Sequence, residues 1–284
     1  RLIFMETVNC IVCDSHINSF YLELINDKSN EKFVLRKCQC GLIFLNPRPD
    51  LNEIKKYYSN DYLPHNTQAF SFFNMAYRFV QKITFYLKYK TIKRVMTNLP
   101  IVKLLDVGSG DGRFLDYLKS KSNLEIYSNE PYYDLDYPDS KYLEDSSCDI
   151  ITMWHSLEHV HNMQELFKLI IEKLKDDGFL ILAVPNIDAY ERKFLKFNWV
   201  AYDAPRHLYH FNYQTMKKLL SKYNFEILEA KPIYQDTLFN IILSFSNLNF
   251  SNILKTLYLS FISFSKILIN KNFSSSTIYI CKKK

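Results

Sequence analysis

From residue 100 onward, short continuous apolar runs alternate with segments in which apolar residues recur every three or four positions. Short continuous runs predict buried strands, and the longer periodic segments predict amphipathic helices. The predicted strands are 103–107, 124–128, 148–154, 179–184, 225–232 and 277–281. The predicted helices are 112–120, 162–174 and 214–223. This alternation predicts an α/β domain over residues 100–284 with a doubly wound, Rossmann-like sheet.

One unit of this alternation is short. Glu130, at the end of the second strand, and Asp149, in the next clear strand, are only 19 residues apart. A complete crossover with its helix and strand needs more chain than this. We therefore expect the third strand to be reduced to 141–143 or to be missing.

The first hundred residues follow a different pattern. Residues 1–50 predict a small knuckle with a hairpin at 20–24 and 33–35, followed by an extended segment at 42–49 that ends in prolines. Residues 51–99 predict a helical linker with two helices. Apolar residues of the second helix recur at helical spacing at Phe72, Phe73, Ala76, Phe79, Val80, Ile83, Tyr86 and Leu87. Its other face carries Arg78, Lys82, Lys88, Lys90, Lys93 and Arg94.

The amino-acid composition excludes few classes of function. With 48% hydrophobic and 23% charged residues among 284, the chain is long and apolar enough for a large core. Its 36 Lys and Arg against 30 Asp and Glu leave +6, a weak argument for a nucleic-acid partner. The N-terminal sequence RLIFMETVNC has no apolar signal region, and no uninterrupted apolar run reaches about 18–20 residues. We therefore expect a cytoplasmic protein.

Four of the six cysteines lie in the first forty residues, as Cys10-x2-Cys13 and Cys38-x-Cys40. Paired thiolates on two turns suit a tetrahedral zinc site. Disulfides are the alternative, but a chain without a leader peptide is expected in a reducing compartment. The sequence predicts one structural zinc on these four cysteines, with His16 as a substitute ligand.

Glycine is rare, yet three of the five glycines fall at Gly108, Gly110 and Gly112. They join a buried strand to a helix, where glycines let a ligand approach the backbone and the helix N-terminus offers unpaired N–H groups. Asp106 precedes the loop, and Glu130 ends the next strand, where an acid can bind ribose hydroxyls. Position 113 is Arg where a dinucleotide-binding loop has glycine, which weighs against an oxidoreductase.

These motifs resemble those of the class I S-adenosylmethionine-dependent methyltransferases. DVGSGDG, at 106–112, and Glu130 resemble their first two motifs, 149–160 with its LEHV ending resembles the motif at their fourth strand, and 174–186 resembles their fifth-strand segment. The cysteine pattern that runs into CGLIFLNPRP, and APRHLYHF at 204–211, resemble a subgroup with an N-terminal zinc-binding domain. Members of that subgroup include methyltransferases of sugar and polysaccharide pathways.

The resemblance implies a set of S-adenosylmethionine contacts. Asp106 and the glycine backbone would hold the methionine part of the cofactor, and Glu130 would hold its ribose. The implied cofactor-binding residues are Asp106, Gly108, Ser109, Gly110, Asp111, Gly112, Glu130 and Trp154. For the adenine, Glu144 and Asp145 are candidates, because they lie in the shortened segment.

Histidines are concentrated between 155 and 210. Methyl transfer to a poorly acidic hydroxyl benefits from a base tuned near neutrality, and histidine is the usual choice. His207 is the first predicted catalytic base and His155 the second, because both follow strands of the predicted sheet. Predicted acceptor-binding residues are His159, Trp199, Arg206 and His210. A structural role for any one of these histidines, or a metal site, is the alternative.

Residues 238–270 predict an apolar helical insertion before the last strand. One face carries large apolar residues at Leu254, Leu257, Tyr258, Phe261, Phe264 and Leu268, and the opposite face is mostly Ser, Thr and Lys. Packing in the core or in a homodimer is the favoured interpretation. Peripheral membrane contact is the alternative.

The resemblance implies a methyltransferase that acts on a hydroxyl of a sugar or nucleotide-linked sugar. The acceptor is expected to be a small molecule, without a nucleic-acid partner. An RNA methyltransferase with a zinc knuckle and a non-catalytic cofactor-binding module are the alternatives. The aromatic and histidine-rich segment 199–211 argues against the non-catalytic module.

Overall fold

The N-terminal part of the chain forms short antiparallel strands. The computed structural model describes residues 4–26, 29–58, 71–96, 101–121, 124–131, 135–245 and 249–284, and only the backbone of 71–80. The first five strands are β1 (Met5–Glu6), β2 (Asn18–Ile25), β3 (Lys32–Cys38), β4 (Ile43–Leu45) and β5 (Arg48–Pro49). The predicted hairpin is thus present, as the antiparallel pair β2–β3.

The α/β domain follows a long helix, α1 (Ser71–Val95). Its first half comprises β6 (Val102–Val107), α2 (Arg113–Lys119), β7 (Leu124–Asn129), β8 (Cys148–Trp154), α3 (Met163–Lys173) and β9 (Leu174–Pro185). Its second half comprises α4 (Arg192–Leu195), β10 (Tyr209–His210), α5 (Tyr213–Lys222), β11 (Phe225–Pro232), α6 (Tyr234–Leu243), α7 (Phe250–Ile269) and β12 (Ser276–Lys283). Short 3₁₀ turns connect several of these elements.

Six strands form the central sheet in the order β11-β12-β9-β8-β6-β7. β7, β6, β8 and β9 are parallel, whereas β12 runs antiparallel to both β9 and β11. Helices flank this sheet, so the predicted Rossmann-like α/β fold is confirmed. The chain moves from β6 outward to β7 and then returns to β8 on the other side of β6. Ligands of open α/β sheets bind at the carboxyl ends of the strands beside such a reversal.

The shortened third unit contains no full strand among its described residues. An isolated bridge joins Ser128 to Asp139, and Ser140–Tyr142 forms a 3₁₀ turn. The prediction of a reduced or missing third strand therefore agrees with the structure. Its position differs, because the bridge lies two residues before the predicted segment.

The linker departs from its prediction in two ways. The segment opening at Leu51 forms only a 3₁₀ turn at Ile54–Tyr57 rather than a helix. In α1, the predicted apolar residues Ile83, Tyr86 and Leu87 are exposed. The helix packs instead through Phe85, Tyr89 and Ile92, whose rings and side chain meet α2 and the sheet. The predicted positions between 72 and 80 have side chains outside the described residues.

The large apolar face of α7 also departs from its prediction. Thr256, Ser260 and Ser263 are buried against the domain, while Leu257 and Phe261 are exposed. Core packing of the predicted apolar face is therefore wrong for this helix. The small polar side chains allow close approach to the domain, and the large apolar ones remain outside.

The N-terminal strands are joined to the α/β domain through β4. β4 pairs with β3 on one side and with β10 on the other, so that Ile43 lies opposite His210. The buried guanidinium of Arg48 adds a second link. It donates to the Tyr209 hydroxyl at 2.6 Å, to the His161 carbonyl at 3.1 Å and to Glu6 at 2.7 Å.

We predict that Arg48→Met lowers the free energy of unfolding by about 2–4 kcal/mol, because it leaves buried polar partners unpaired. Urea unfolding of the full chain measures this loss. The matched control is Lys32→Met, which breaks an ion pair with Glu23 whose lysine side chain is 65% exposed. Such a surface pair contributes at most about 1 kcal/mol. Equal losses in the two variants would contradict the linking role of Arg48.

Candidate active site at the carboxyl edge of the sheet

The loop after β6 requires its glycines. Gly108, Gly110 and Gly112 all have positive φ, at 77°, 57° and 76°. A Cβ atom on Gly108 would lie 2.4 Å from the Cβ of Ser156, whereas a Cβ on Gly110 would meet no atom within 4 Å. Gly108 therefore allows the loops after β6 and β8 to touch, and Gly110 borders open space.

Polar groups surround this loop as predicted for a ligand-binding turn. The carboxylate of Glu130 accepts from the Gly110 N–H at 2.8 Å. The Ser109 hydroxyl donates to the Asp106 carbonyl at 2.9 Å. Asp111 instead forms an ion pair with Arg113, so its carboxylate is engaged beside the loop. Five of the predicted residues, Asp106, Ser109, Gly110, Asp111 and Glu130, thus lie together beside the loop after β6.

Asp106 is buried beneath the loop. Its carboxylate accepts from the Thr152 hydroxyl of β8. Burial raises the pKa of Asp106 to about 6, although Thr152 and the ammonium group of Lys88 oppose that rise. The side chain therefore changes its charge close to neutral pH, in contrast to an ordinary aspartate.

Trp154 lies at the carboxyl end of β8, near the same loop. Its ring packs edge-on against Phe114 at a centroid distance of 5.9 Å, and the Lys88 ammonium lies 5.1 Å from its centre. The indole Nε1 is buried and has no hydrogen-bond partner among the described residues. A buried donor without a partner is unusual in native structures and is available to a ligand.

A histidine and carboxylate cluster follows β8. Glu158 is fully buried, and its Oε1 lies 3.6 Å from the Nδ1 of His155 and 3.9 Å from the Nε2 of His207. On its other side, the Nε2 of His155 lies 3.0 Å from Asp236 of α6. His159 stacks edge-on against His207 at a centroid distance of 4.7 Å. The structure therefore brings three of the predicted histidines together around one carboxylate.

Burial alone would lower the pKa of His155, but Asp236 and Glu158 overcome it and raise that pKa to about 9. Burial would raise the pKa of Glu158, yet His155 and the other two histidines lower it to about 2. Burial and the neighbouring His207 lower the pKa of His159 to about 4. At neutral pH the cluster thus contains a carboxylate, an imidazolium at His155 and a neutral His159.

The hydrogen bonds of His207 define its tautomer. Its Nδ1 donates to the Ala201 carbonyl at 2.9 Å, which leaves Nε2 as the basic nitrogen. That Nε2 lies 3.6 Å from Asp203 as well as near Glu158. Nε2 is therefore the ring nitrogen of His207 that faces two carboxylates.

The remaining predicted acceptor residues have mixed surroundings. Trp199 is only 1% exposed and donates to Glu191, which favours a packing role over stacking on a ligand. Arg206 forms an ion pair with Asp203. His210 is buried, and its Nε2 has no partner among the described residues.

The four N-terminal cysteines form one cluster. Cys10 and Cys40 have their sulfur atoms 3.5 Å apart, and Cys13 and Cys38 have theirs 3.4 Å apart. All four sulfurs lie within 4.8 Å of one another. These distances exceed the roughly 2.05 Å of a disulfide and approach the about 3.8 Å expected when four thiolates bind zinc at about 2.3 Å. The donor set therefore fits a tetrahedral metal ion.

Glu158, His159 and His207 also offer one ligand atom each within 4.8 Å. However, the imidazolium of His155 already lies against Glu158 and balances its charge. We therefore interpret this second cluster as an acid–base network.

Comparison with known families decides the class of protein. The sequence profile of the methyltransferase domain matches residues 70–230, which is more than half of the chain. The chain belongs to the methyltransferase domain family. It is a class I S-adenosylmethionine-dependent methyltransferase, as the resemblance of its motifs predicted. No curated protein sequence matches it significantly.

Several solved structures resemble the methyltransferase. Phosphoethanolamine N-methyltransferase 2 of Haemonchus contortus shares 15% identity and a TM-score of 0.45, over 68% of this chain and 51% of that one. A SAM dependent methyltransferase of Archaeoglobus fulgidus shares 17% identity and a TM-score of 0.47, over 75% and 100%. Geranyl diphosphate C-methyltransferase of Streptomyces coelicolor shares 10% identity and a TM-score of 0.45, over 68% and 75%. These values are too low to indicate the acceptor.

Sequence reasoning missed three residues of this methyltransferase site. The sequence places Lys88 on the basic face of α1, with no role in the site, but its ammonium group reaches Trp154 and Phe114. Asp236 begins a helix far along the chain and carried no motif signal. Glu158 stood inside the quoted LEHV motif without an assigned role. Its position between two candidate histidines is the one signal that was present in the sequence.

We predict that Gly108→Ala lowers the free energy of unfolding of the methyltransferase by about 2–5 kcal/mol. The reason is the left-handed backbone together with the clash at Ser156. The matched control is Gly110→Ala, which shares the left-handed backbone but has open space at its Cβ. That control should lose only about 1–2 kcal/mol. Urea unfolding measures both, and equal losses would contradict the close approach of the two loops.

Proposed function

We propose that this methyltransferase transfers a methyl group to a hydroxyl of a sugar or nucleotide-linked sugar. The observation that carries the proposal is the basic Nε2 of His207, held between Glu158 and Asp203 at the carboxyl edge of the sheet. A sugar hydroxyl is barely acidic, and a base at this place answers that need.

We assign cofactor binding to the loop after β6 and its neighbours. The open space at Gly110 and the unpartnered Trp154 Nε1 support this assignment. Asp106 and the glycine backbone would hold the methionine part, and Glu130 the ribose. When bound, S-adenosylmethionine supplies an electrophilic methyl group. The adenine contact remains a prediction for Glu144 or Asp145. Of these two residues, Asp145 forms an ion pair with Lys173.

The chain's own residues would perform the proton chemistry. Bound S-adenosylmethionine would supply its methyl group to the acceptor oxygen and would be released as S-adenosylhomocysteine. His207 would accept the hydroxyl proton at Nε2, beside the carboxylates of Glu158 and Asp203. His155, the second candidate base, has a pKa of about 9 and would accept a proton only above that pH. His159, Arg206, His210 and Trp199 remain predictions for acceptor binding.

We predict that S-adenosylhomocysteine binds about tenfold more weakly at pH 5 than at pH 7.5, because Asp106 loses its charge below its pKa of about 6. Calorimetry should show that Asp106→Asn binds weakly at both pH values. Since the ammonium group of Lys88 lowers the pKa of Asp106, Lys88→Met should move the midpoint to higher pH. Affinity in the wild type that is independent of pH would contradict the role of Asp106.

We predict that His207→Ala lowers turnover by roughly 10²–10⁴-fold, since the hydroxyl proton loses its acceptor. Formation of S-adenosylhomocysteine with a panel of nucleotide-linked hexoses measures this loss. Cofactor affinity should not change, because the loop after β6 is untouched. His161→Ala is the control, since His161 follows β8 but its Nε2 bonds to the Pro49 carbonyl at 3.0 Å. Wild-type turnover in His207→Ala would contradict the assignment of His207 as the base. Absence of methyl transfer to every sugar of the panel by the wild type would contradict the proposed acceptor class.

We propose that Cys10, Cys13, Cys38 and Cys40 hold one structural zinc. The sulfur distances support a tetrahedral site, and the knuckle is too small to have a large core of its own. The role of this ion would be to stabilise the strands that support β10. The cytoplasmic location stays a prediction from the sequence.

We predict about one zinc per chain by elemental analysis of the purified protein. Cys38→Ser should lose this zinc and unfold at a lower temperature, because three thiolates remain for a four-coordinate ion. Cys148→Ser is the control, since Cys148 is buried in the central sheet. Its zinc content should equal that of the wild type. A folded N-terminal part without metal would contradict the proposal.

A further inference from the structure

The outward face of α7 carries large apolar side chains in one continuous stripe. We define the α7 face as Phe250, Leu254, Leu257, Tyr258, Phe261 and Leu268, all of which are exposed. Phe261 is 73% and Leu268 78% exposed. Residues at this spacing lie on one side of a helix. Such a stripe is larger than the scattered apolar residues that a monomer ordinarily exposes, and it marks an interaction surface.

The inward side of α7 shows that this orientation is built into the fold. Leu259 and Ile267 are buried, as are the small residues Thr256, Ser260 and Ser263. The hydroxyls of those three small residues have no partner among the described residues. The helix therefore packs through these small side chains together with Leu259 and Ile267, and presents most of its large apolar side chains to the outside.

Charge indicates what covers the α7 face. From residue 237 to the end of α7 the sequence contains no Asp or Glu but two Lys, Lys255 and Lys266, and Lys271 follows shortly after the helix. Lys255 is exposed on α7 itself. Near the end of α7, the ammonium groups of Lys266 and Lys193 both lie over the Tyr190 ring, at 5.7 and 5.4 Å. Phe194, beside them, is exposed. Apolar side chains with lysines at their border are typical of helices that lie on an anionic membrane.

We propose that α7 docks the protein on the surface of an anionic lipid bilayer. The helix would lie in the interface plane, with the α7 face in the acyl region and the lysines at the headgroups. A second copy of the chain fits less well, because two α7 helices related by a two-fold axis would bring lysines together without a carboxylate on either helix. This inference is independent of the proposed acceptor.

The connections of α7 favour lying on the membrane over crossing it. By length and composition, α7 is the one described helix that could span a membrane. However, both ends of α7 are connected to the central sheet. Before it, α6 follows directly on β11, and after it the chain forms β12, which lies between β9 and β11 in the sheet. A spanning helix would have to leave this packing, whereas an interfacial helix keeps its buried side on the domain.

Docking would also place the active site near the bilayer. Asp236, in the first turn of α6, binds His155, and the Ser244 hydroxyl at the end of α6 accepts from the Val200 N–H at 2.9 Å. The Tyr234 ring of α6 lies 6.4 Å from Phe264 of α7. The helix pair therefore contacts the histidine cluster on one side and carries the α7 face on the other.

Vesicle flotation of the full chain tests the proposal. We expect binding to vesicles of about 70% phosphatidylcholine and about 30% phosphatidylserine. Binding to vesicles of phosphatidylcholine alone should be weaker, and binding to the anionic vesicles should decrease as the salt concentration rises. The variant Leu257→Gln/Phe261→Gln should lose at least about tenfold in partitioning. The control Phe20→Gln/Leu51→Gln changes two exposed apolar residues of the N-terminal part and should bind like the wild type.

A second measurement does not depend on the folding of the polar variant. Tyr258→Trp places a fluorophore on the α7 face, and lipids with a spin label on the acyl chain should quench it, whereas Phe20→Trp should be unaffected. Absence of wild-type binding to anionic vesicles, or an unquenched Tyr258→Trp, would overturn the proposal. A solution dimer that Leu257→Gln/Phe261→Gln converts to monomer, without vesicle binding by the wild type, would assign the face to a second copy instead.

Discussion

The carboxylate of Glu158 has no exposed surface and no hydrogen-bond partner among the described residues. A buried charge of this kind is tolerated only when an opposite charge lies close to it. The imidazolium of His155 fulfils that condition, and Asp236 holds its other nitrogen. His155 also has a left-handed backbone, with φ of 55°, which is rare for a residue with a side chain. Strain of this kind is characteristic of functional sites.

The loop after β8, which contains Glu158, also connects the candidate active site to the N-terminal part of the chain. The Leu45 N–H of β4 donates to the Leu208 carbonyl at 2.9 Å, and the Leu208 N–H donates to the Glu158 carbonyl at 2.8 Å. The backbone of the knuckle, the histidine segment and the loop after β8 are therefore consecutive in one hydrogen-bonded series. The N-terminal strands and the candidate active site are thus linked by backbone hydrogen bonds.

Local pattern was sufficient wherever the chemistry depends on neighbours in the chain. Gly108, Gly110 and Gly112 stand between a strand and a helix, and the structure gives all three the left-handed backbone that such a turn needs. Helix faces were a harder problem. Periodicity shows that α7 has an apolar and a small polar side, but it does not show which side meets the domain. The side with the small residues packs against the domain because small side chains permit a closer approach of the helix.

The sequence by itself determined the strand order along the chain, the glycine turn, the cysteine pairs and the position of the histidines, because each of these depends on residues close together in the sequence. Only the tertiary structure decided which charged groups lie close enough to change one another's pKa values. Lys88 of α1, Glu158 after β8 and Asp236 of α6 come from three distant elements, and only Glu158 stands close to its partner His155 in the sequence. Their positions follow from how the helices pack on the sheet, since the free energy of a buried charge depends on every group that surrounds it.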